Sequence, residues 1–168
     1  MNYRILLFRG KGPISRAIRW QTRSQYSHAA LQLPSGAIVE SWQGAGVQYR
    51  EDVSYANVDA FTVPSMTKDQ WIVAAQFCLS HIGDRYDYRG VFRFLTRVKP
   101  RWDNRWFCSE LVFEALQQAG CRLLHNVTSG QVSPAMLSLS PLLKSCPAQP
   151  NTSVSSTDSD SGTSPVER

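Results

Sequence analysis

The feature of this sequence that most restricts its fold is a short turn between two segments with strand character. Pro34-Ser35-Gly36 has the composition of a reverse turn. The segments on either side, residues 26–33 and 37–42, are rich in apolar and aromatic residues and are short enough to be strands. The sequence therefore predicts a β-hairpin at residues 26–42.

The length of the turn decides which side chains of the hairpin share a face. A three-residue loop pairs Leu33 with Ala37, so His28 and Glu40 become diagonal neighbours on one face. Their backbones would then lie about 7–8 Å apart, which long side chains can bridge. A two- or four-residue loop would place His28 and Glu40 on opposite faces. A contact between them is thus a direct test of this register.

A second segment places a cysteine at the start of a helix. After Phe107-Cys108, apolar residues recur with helical spacing as far as Ala119, and Gly120 should end the helix. The helix dipole and the unpaired N–H groups of the first turn favour a thiolate at Cys108 and could hold an oxyanion. Free cysteines are also commonly buried as small apolar residues, and on this segment alone that structural interpretation is favoured.

The other elements follow from the same periodicities. Strands are predicted at 3–8, 47–50, 58–63 and 121–124, and helices at 14–20, at 71–82 after a Thr67 cap, and from Pro134. Ile14, Ala17 and Ile18 should form the buried side of the first helix. From residue 147 the chain is almost devoid of apolar residues and should be disordered, which leaves one domain at residues 1–146.

Composition restricts the class of protein. No apolar run is long enough to span a membrane, and Met1–Arg9 is too short in its apolar part for a signal peptide, so we expect a cytoplasmic protein. The four cysteines form no C-x-x-C pair, which argues against a zinc site or a disulfide framework.

Positive charge is unevenly distributed. The net charge is +5, and residues 1–39 hold six basic residues and no acidic one. Residues 1–146 carry 17 basic and 10 acidic residues, a net charge of +7. Helical spacing would align the side chains of Arg85, Arg89, Arg93 and Arg97. Such a basic face could bind an anionic membrane or nucleic acid, or it could be a solvated surface.

Short motifs also occur in a fixed order along residues 5–119. They are Tyr26-Ser27-His28, Glu40, Gly46-Val47, Gly83 with Tyr86-Asp87, and Cys108-Ser109-Glu110-Leu111-Val112. Together they resemble the permuted NlpC/P60 group of papain-like cysteine amidases, of the YiiX/YaeF type. The resemblance implies an α+β fold in which an antiparallel sheet packs against helices.

The resemblance also implies roles for individual residues. Cys108 would be the nucleophile, His28 the general base, and Glu40 the group that orients the imidazole; the Tyr26 hydroxyl could contact substrate. The implied reaction is hydrolysis of an amide or ester, or acyl transfer, through a thioester and without a metal or cofactor. Two alternatives are a non-catalytic module that binds an anionic partner through its basic face, and a catalytically silent relative.

Overall fold

A computed structural model describes residues 2–88 and 105–148, and the fold over these residues is α+β. Helices pack against an antiparallel sheet, as the sequence predicts. In chain order the elements are β1 (Arg4–Phe8), α1 (Pro13–Thr22), β2 (His28–Gln32), β3 (Ile38–Trp42), β4 (Gly46–Arg50), β5 (Val58–Thr62), α2 (Lys68–Ser80), β6 (Arg85–Tyr86), β7 (Arg105–Trp106), α3 (Cys108–Gln118), a 3-10 turn (Ser129–Gln131), α4 (Pro134–Ser138) and β8 (Lys144–Cys146).

The main sheet has the strand order β4-β3-β2-β1-β5-β8 in the described part of the chain. The first strand is therefore central, as its apolar sequence predicts. Alternate side chains of β1 pack into two apolar layers, one on each face of the sheet. Ile5 and Leu7 join the larger core beneath α2 and α3, whereas Leu6 packs with Ala30 and Ile38 on the opposite face.

Helix α3 is buried along one side and packs on both α2 and β2. The side chains of Leu111, Val112 and Leu116 are fully buried in the larger core, which fixes the helix against the sheet. Helix α2 begins at the predicted Thr67 cap, whose hydroxyl accepts a hydrogen bond from the Gln70 N–H at 3.2 Å. Both helices end near the positions that the sequence predicts.

The predicted buried side of α1 is wrong for two of its three residues. Ile18 is buried, but Ile14 is 39% exposed and Ala17 is also exposed. The reason is the small contact that α1 makes: Ile18 packs with Tyr86 and a few neighbours, and one apolar residue suffices for that contact.

The predicted strand at 121–124 does not form. The Cys121 N–H instead donates to the Leu116 carbonyl at 2.8 Å, and the Leu123 carbonyl accepts from the Ser140 hydroxyl at 2.6 Å. These bonds close the end of α3 and leave those groups unavailable to a sheet. The edge position is taken by β8, which pairs with β5 and which the sequence interpretation missed.

Two other predictions concern segments outside the described residues. Of the four arginines that helical spacing would align, Arg89, Arg93 and Arg97 lie outside them. Arg85 lies in β6, a two-residue strand that pairs in parallel with β7. The tail predicted to be disordered lies outside them from residue 149 onward.

A close backbone contact joins β4 to the segment that leads to β6. The Val47 N–H donates to the Asp84 carbonyl at 2.8 Å, and the Gly83 N–H donates to the Val47 carbonyl at 2.9 Å. Gly46 permits this approach, because it has a φ of +76° and a Cβ there would lie 2.1 Å from the Asp84 carbonyl oxygen. The contact places Tyr86 beside the hairpin.

Candidate active site

The hairpin has the register that a three-residue loop predicts. Leu31 pairs with Val39, and the Leu33 N–H donates to the Ala37 carbonyl at 2.8 Å. His28 and Glu40 consequently share a face, and His28 Nε2 lies 2.6 Å from Glu40 Oε2. The predicted contact between these two side chains is confirmed.

Glu40 is only 1% exposed, and each of its two carboxylate oxygens has polar partners within the protein. Oε2 faces His28, whereas Oε1 accepts a hydrogen bond from Gln48 Nε2 at 3.1 Å and lies 3.4 Å from Arg50 Nη1. Burial disfavours the charged carboxylate, but the hydrogen bond and charge of His28, followed by Arg50 and Gln48, outweigh it and lower the pKa of Glu40. Glu40 is therefore an anion at neutral pH.

The imidazole of His28 is held between two aromatic rings and is 8% exposed. The ring centroid of Phe8 lies 5.3 Å away, and that of Trp42 lies 4.9 Å away in an edge-on arrangement at 89°. Because Glu40 engages Nε2, Nδ1 is the ring nitrogen that remains for a second partner. The side chain of Cys108 is the other group that interacts with the imidazole, through its charge and hydrogen bonding.

The environment of His28 favours its cationic form. Burial disfavours the imidazolium, but the charge and hydrogen bond of Cys108, followed by those of Glu40, outweigh burial and raise the pKa of His28 to about 9. The arrangement thus stabilises an imidazolium that lies between Glu40 and Cys108.

Cys108 is the first residue of α3, and it is 1% exposed. Its side chain packs with Ile18, Tyr86 and Phe107. The Phe107 N–H donates to Glu110 Oε2 at 3.3 Å, whereas the N–H groups of the first helical turn have no partner within the helix. The thiol therefore lies where the helix dipole favours negative charge.

The N-terminus of α3 is tied to the hairpin next to Glu40. The hydroxyl of Ser41 donates to the Trp106 carbonyl at 2.6 Å. On the other side, Trp106 Nε1 donates to Asp84 Oδ2 at 3.0 Å, and the Asp87 N–H donates to the Trp106 carbonyl at 3.1 Å. Trp106 therefore bridges the hairpin and the segment 84–87, and it fixes Cys108 relative to His28.

The fourth predicted site residue, Tyr26, has a different partner. Its hydroxyl donates to Asp59 Oδ2 at 2.7 Å, and its ring packs edge-on against Phe61. Burial, followed by this carboxylate, raises the pKa of the Tyr26 phenol, which therefore stays neutral. The structure brings together Cys108, His28 and Glu40, and a contact of Tyr26 with substrate stays a prediction.

Sequence reasoning missed four residues around the triad. Gln48 lies directly opposite Glu40 in the β3–β4 ladder, so a register drawn through the Gly44-Ala45-Gly46 turn would have found it. Trp42 lies opposite His28 in the register that the three-residue loop predicts, and Arg50 lies two residues beyond Gln48 on the same strand, as a diagonal neighbour of Glu40. Tyr86 was noted only as part of a motif, and burial followed by the charge of Cys108 raises the pKa of its phenol.

The other three cysteines differ from Cys108 in their surroundings. All four are free thiols. Burial raises the pKa of Cys78 to about 12, and burial also raises the pKa of Cys121 and of Cys146. These three thiols should react slowly, which makes them internal references for Cys108.

The described residues lack two features, a candidate metal site and a membrane-spanning helix. Over residues 2–88 and 105–148, no group of three or more His, Cys, Asp or Glu side chains is arranged to hold a metal ion. In the same ranges, none of the helices combines the length and the apolarity needed to cross a bilayer.

Comparison with known proteins shows a related fold. The chain superposes on the crystal structure of metalloprotein yiiX from Escherichia coli O157:H7 with a TM-score of 0.66 and 19% sequence identity, covering 86% of this chain and 94% of that one. No protein-family model matches the sequence, and no curated protein matches it. The chain therefore has a YiiX-like fold.

Proposed function

We propose that this protein is a cysteine hydrolase that cleaves an amide or ester through a thioester, with Cys108 as nucleophile, His28 as base and Glu40 as orienting carboxylate. The observation that carries the proposal is the buried chain of contacts from Glu40 through His28 to Cys108 at the start of α3. A nucleophile, a base and an orienting acid in contact are the requirement for such catalysis.

The order of these residues supports a permuted papain-like arrangement. In papain-like proteases the cysteine precedes the histidine along the chain. Here His28 and Glu40 come first and Cys108 follows, while the relation of thiol, imidazole and orienting group is the same. We therefore assign the fold to the permuted NlpC/P60 type within the YiiX-like group.

The proposed reaction begins with transfer of the Cys108 proton to Nδ1 of His28. The thiolate adds to the carbonyl carbon of the substrate, and the oxygen takes the electron pair of the C=O bond. N–H groups of the first turn of α3, including that of Cys108, stabilise this oxyanion. Collapse expels an amine or alcohol, which leaves with the proton held by His28. A thioester on Cys108 remains.

Water completes the cycle. His28 accepts a proton from water, the hydroxide adds to the thioester carbonyl, and collapse releases a carboxylic acid and the Cys108 thiolate. The net reaction adds one water molecule to the amide or ester. Another acceptor in place of water would give acyl transfer. The structural neighbour is described as a metalloprotein, but the reaction proposed for this chain uses only its own side chains, because among residues 2–88 and 105–148 no group of three or more His, Cys, Asp or Glu is arranged to hold a metal ion and Glu40 already occupies His28 Nε2.

The proposal is tested first by the reactivity of the four thiols. Iodoacetamide at mildly acidic pH should label Cys108 faster than the other three cysteines, because only a thiol paired with an imidazolium is ionised there. Labelling of Cys108 should collapse in His28→Ala and persist in His125→Ala, a matched control that removes an exposed histidine. Equal labelling of Cys108 and Cys78 would refute the activated thiolate.

Activity is then measured with a panel of chromogenic amides and esters. Hydrolysis should be lost in Cys108→Ala and retained in Cys146→Ala, and it should be unaffected by a chelator. Acylated Cys108 should be detectable by mass spectrometry in the wild-type protein after rapid quenching in acid. A panel in which Cys108→Ala hydrolyses every substrate as fast as the wild type would contradict the proposal and favour the non-catalytic alternative.

A further inference from the structure

Helix α1 and its C-cap present an unusual outer surface, which we call the α1 face and define by Arg16, Ala17, Trp20 and Arg23. Trp20 is 82% exposed, and the other three residues are exposed as well. Arg16 and Ala17 lie one helical turn before Trp20, so the three side chains share one side of the helix. The face therefore combines a bare indole, a methyl group and guanidinium groups.

The charged side chains that line the cavity beside the α1 face are all basic. An open cavity of about 680 Å³ beside it is lined by Lys11, Arg16, Arg19, Arg23, Ser24 and Gln25. Arg19 is oriented by a hydrogen bond from Nη1 to the Gly10 carbonyl at 3.2 Å, and its buried Nε makes no hydrogen bond to any described residue. No acidic residue occurs in residues 1–39. The surroundings of Trp20 thus match a dense negative surface.

We propose that the α1 face is a docking surface for an anionic lipid bilayer. Tryptophan and aliphatic side chains partition into the boundary between headgroups and acyl chains, and arginine and lysine bind the anionic headgroups. Nucleic acid would also attract the positive charge and could stack on Trp20, but proteins that bind single strands stack successive bases on several aromatic side chains, and the α1 face offers one. The single indole among guanidinium groups therefore favours the bilayer.

The position of α1 gives docking a consequence for the thiol. The inner side of the same helix contacts Cys108 through Ile18, so the nucleophile lies about one helix diameter, roughly 10 Å, from the outer face. A docked protein would hold Cys108 next to the membrane surface. Docking itself does not depend on the proposed chemistry, because the α1 face contains none of the triad residues.

The test is sedimentation of the full chain with vesicles. Phosphatidylcholine vesicles containing about one quarter phosphatidylglycerol should bind the protein, and vesicles of phosphatidylcholine alone should bind it weakly, because the anionic lipid supplies the surface potential. Trp20→Ala should lower the partition coefficient by about tenfold or more. Arg16→Ala with Arg23→Ala should lower it by about 25-fold, since each basic residue contributes about fivefold.

Matched controls separate docking from general effects on the surface. Leu139→Ala removes an exposed apolar side chain and Arg122→Ala an exposed charge on other elements, and both should bind vesicles like the wild type. Cys108→Ala should also bind normally, so that a failure of the proposed chemistry leaves docking intact. Equal binding to both vesicle types, or equal losses in Leu139→Ala and Trp20→Ala, would overturn the proposal. The proposal would also be overturned if a single-stranded oligonucleotide displaced the protein from vesicles and if this displacement required Trp20.

Discussion

Replacing Glu40 by glutamine tests whether the carboxylate, rather than the shape of the side chain, sets the charge of His28. Glutamine keeps the size of Glu40, and its carbonyl oxygen can accept a hydrogen bond either from His28 or from Gln48 and Arg50, whereas the carboxylate serves both sides. The substitution removes the negative charge 2.6 Å from the imidazole. A hydrogen bond to a charged group contributes about 1.5–3 kcal/mol, and one pKa unit corresponds to about 1.4 kcal/mol. We therefore expect the pKa of His28 to fall by about one to two units.

The direction of this pKa shift follows from the opposing effects of burial and of neighbouring groups on His28. In the wild type, Cys108 and Glu40 together overcome burial and raise the pKa of His28 to about 9. In Glu40→Gln, Cys108 alone opposes burial, so the imidazolium is less stable. The equilibrium between neutral and ionised Cys108–His28 pairs should move about tenfold to a hundredfold towards the neutral pair. Alkylation of Cys108 at mildly acidic pH should slow accordingly.

The measurement is an NMR titration of the imidazole carbon-bound protons, which is practicable because the chain has three histidines. His28→Ala identifies the resonance of His28. Glu51→Gln is the matched control, since it removes the same charge at an exposed position just after β4. A titration midpoint for His28 that is the same in Glu40→Gln, Glu51→Gln and the wild type would refute the assignment of Glu40 as the group that stabilises the imidazolium.

Two further predictions concern stability. In urea denaturation, Gly46→Ala should destabilise the fold by about 2 kcal/mol or more relative to Gly44→Ala. Both glycines have positive φ, but of the two only Gly46 would place a Cβ against a carbonyl, that of Asp84. Equal losses of stability in the two variants would contradict this reasoning. His28 has a raised pKa, so its stabilising effect should be complete below its unfolded value of about 6.5 and disappear as pH rises through about 9. The difference in melting temperature between wild type and His28→Ala should therefore shrink above pH 9. A difference that stayed constant between about pH 6.5 and above pH 9 would contradict this prediction.

The parts of the site that were predictable from sequence depend on local geometry. The contact between His28 and Glu40 follows from the length of one turn, because strand alternation transmits the register without error over a few residues. The place of Cys108 at the start of α3 follows from helical periodicity and from Gly120. Each inference needed only residues close together in the chain.

The approach of Cys108 to His28 was not predictable in this way. The two residues are 80 positions apart in the chain, and their contact depends on Trp106, which joins Ser41 of the hairpin to Asp84. The error at α1 has a similar origin: helical periodicity suggested a three-residue buried side, but the tertiary contact of α1 uses Ile18 alone. The strand β8 was missed because three edge residues carry little periodic signal.

The energetics of the buried Glu40–His28 pair agree better with the proposed chemistry than with a purely stabilising role. Glu40 and His28 are nearly inaccessible, and taking such charges out of water costs several kcal/mol per ion, which an ion pair offsets only with good geometry and further hydrogen bonds. Apolar side chains of similar volume would commonly stabilise a core as well or better. Here Gln48 and Arg50 complete the bonding of Glu40, and the resulting imidazolium faces a thiol at a helix start. A network that only held strands together would not need an imidazolium next to Cys108, whereas the proposed reaction requires one.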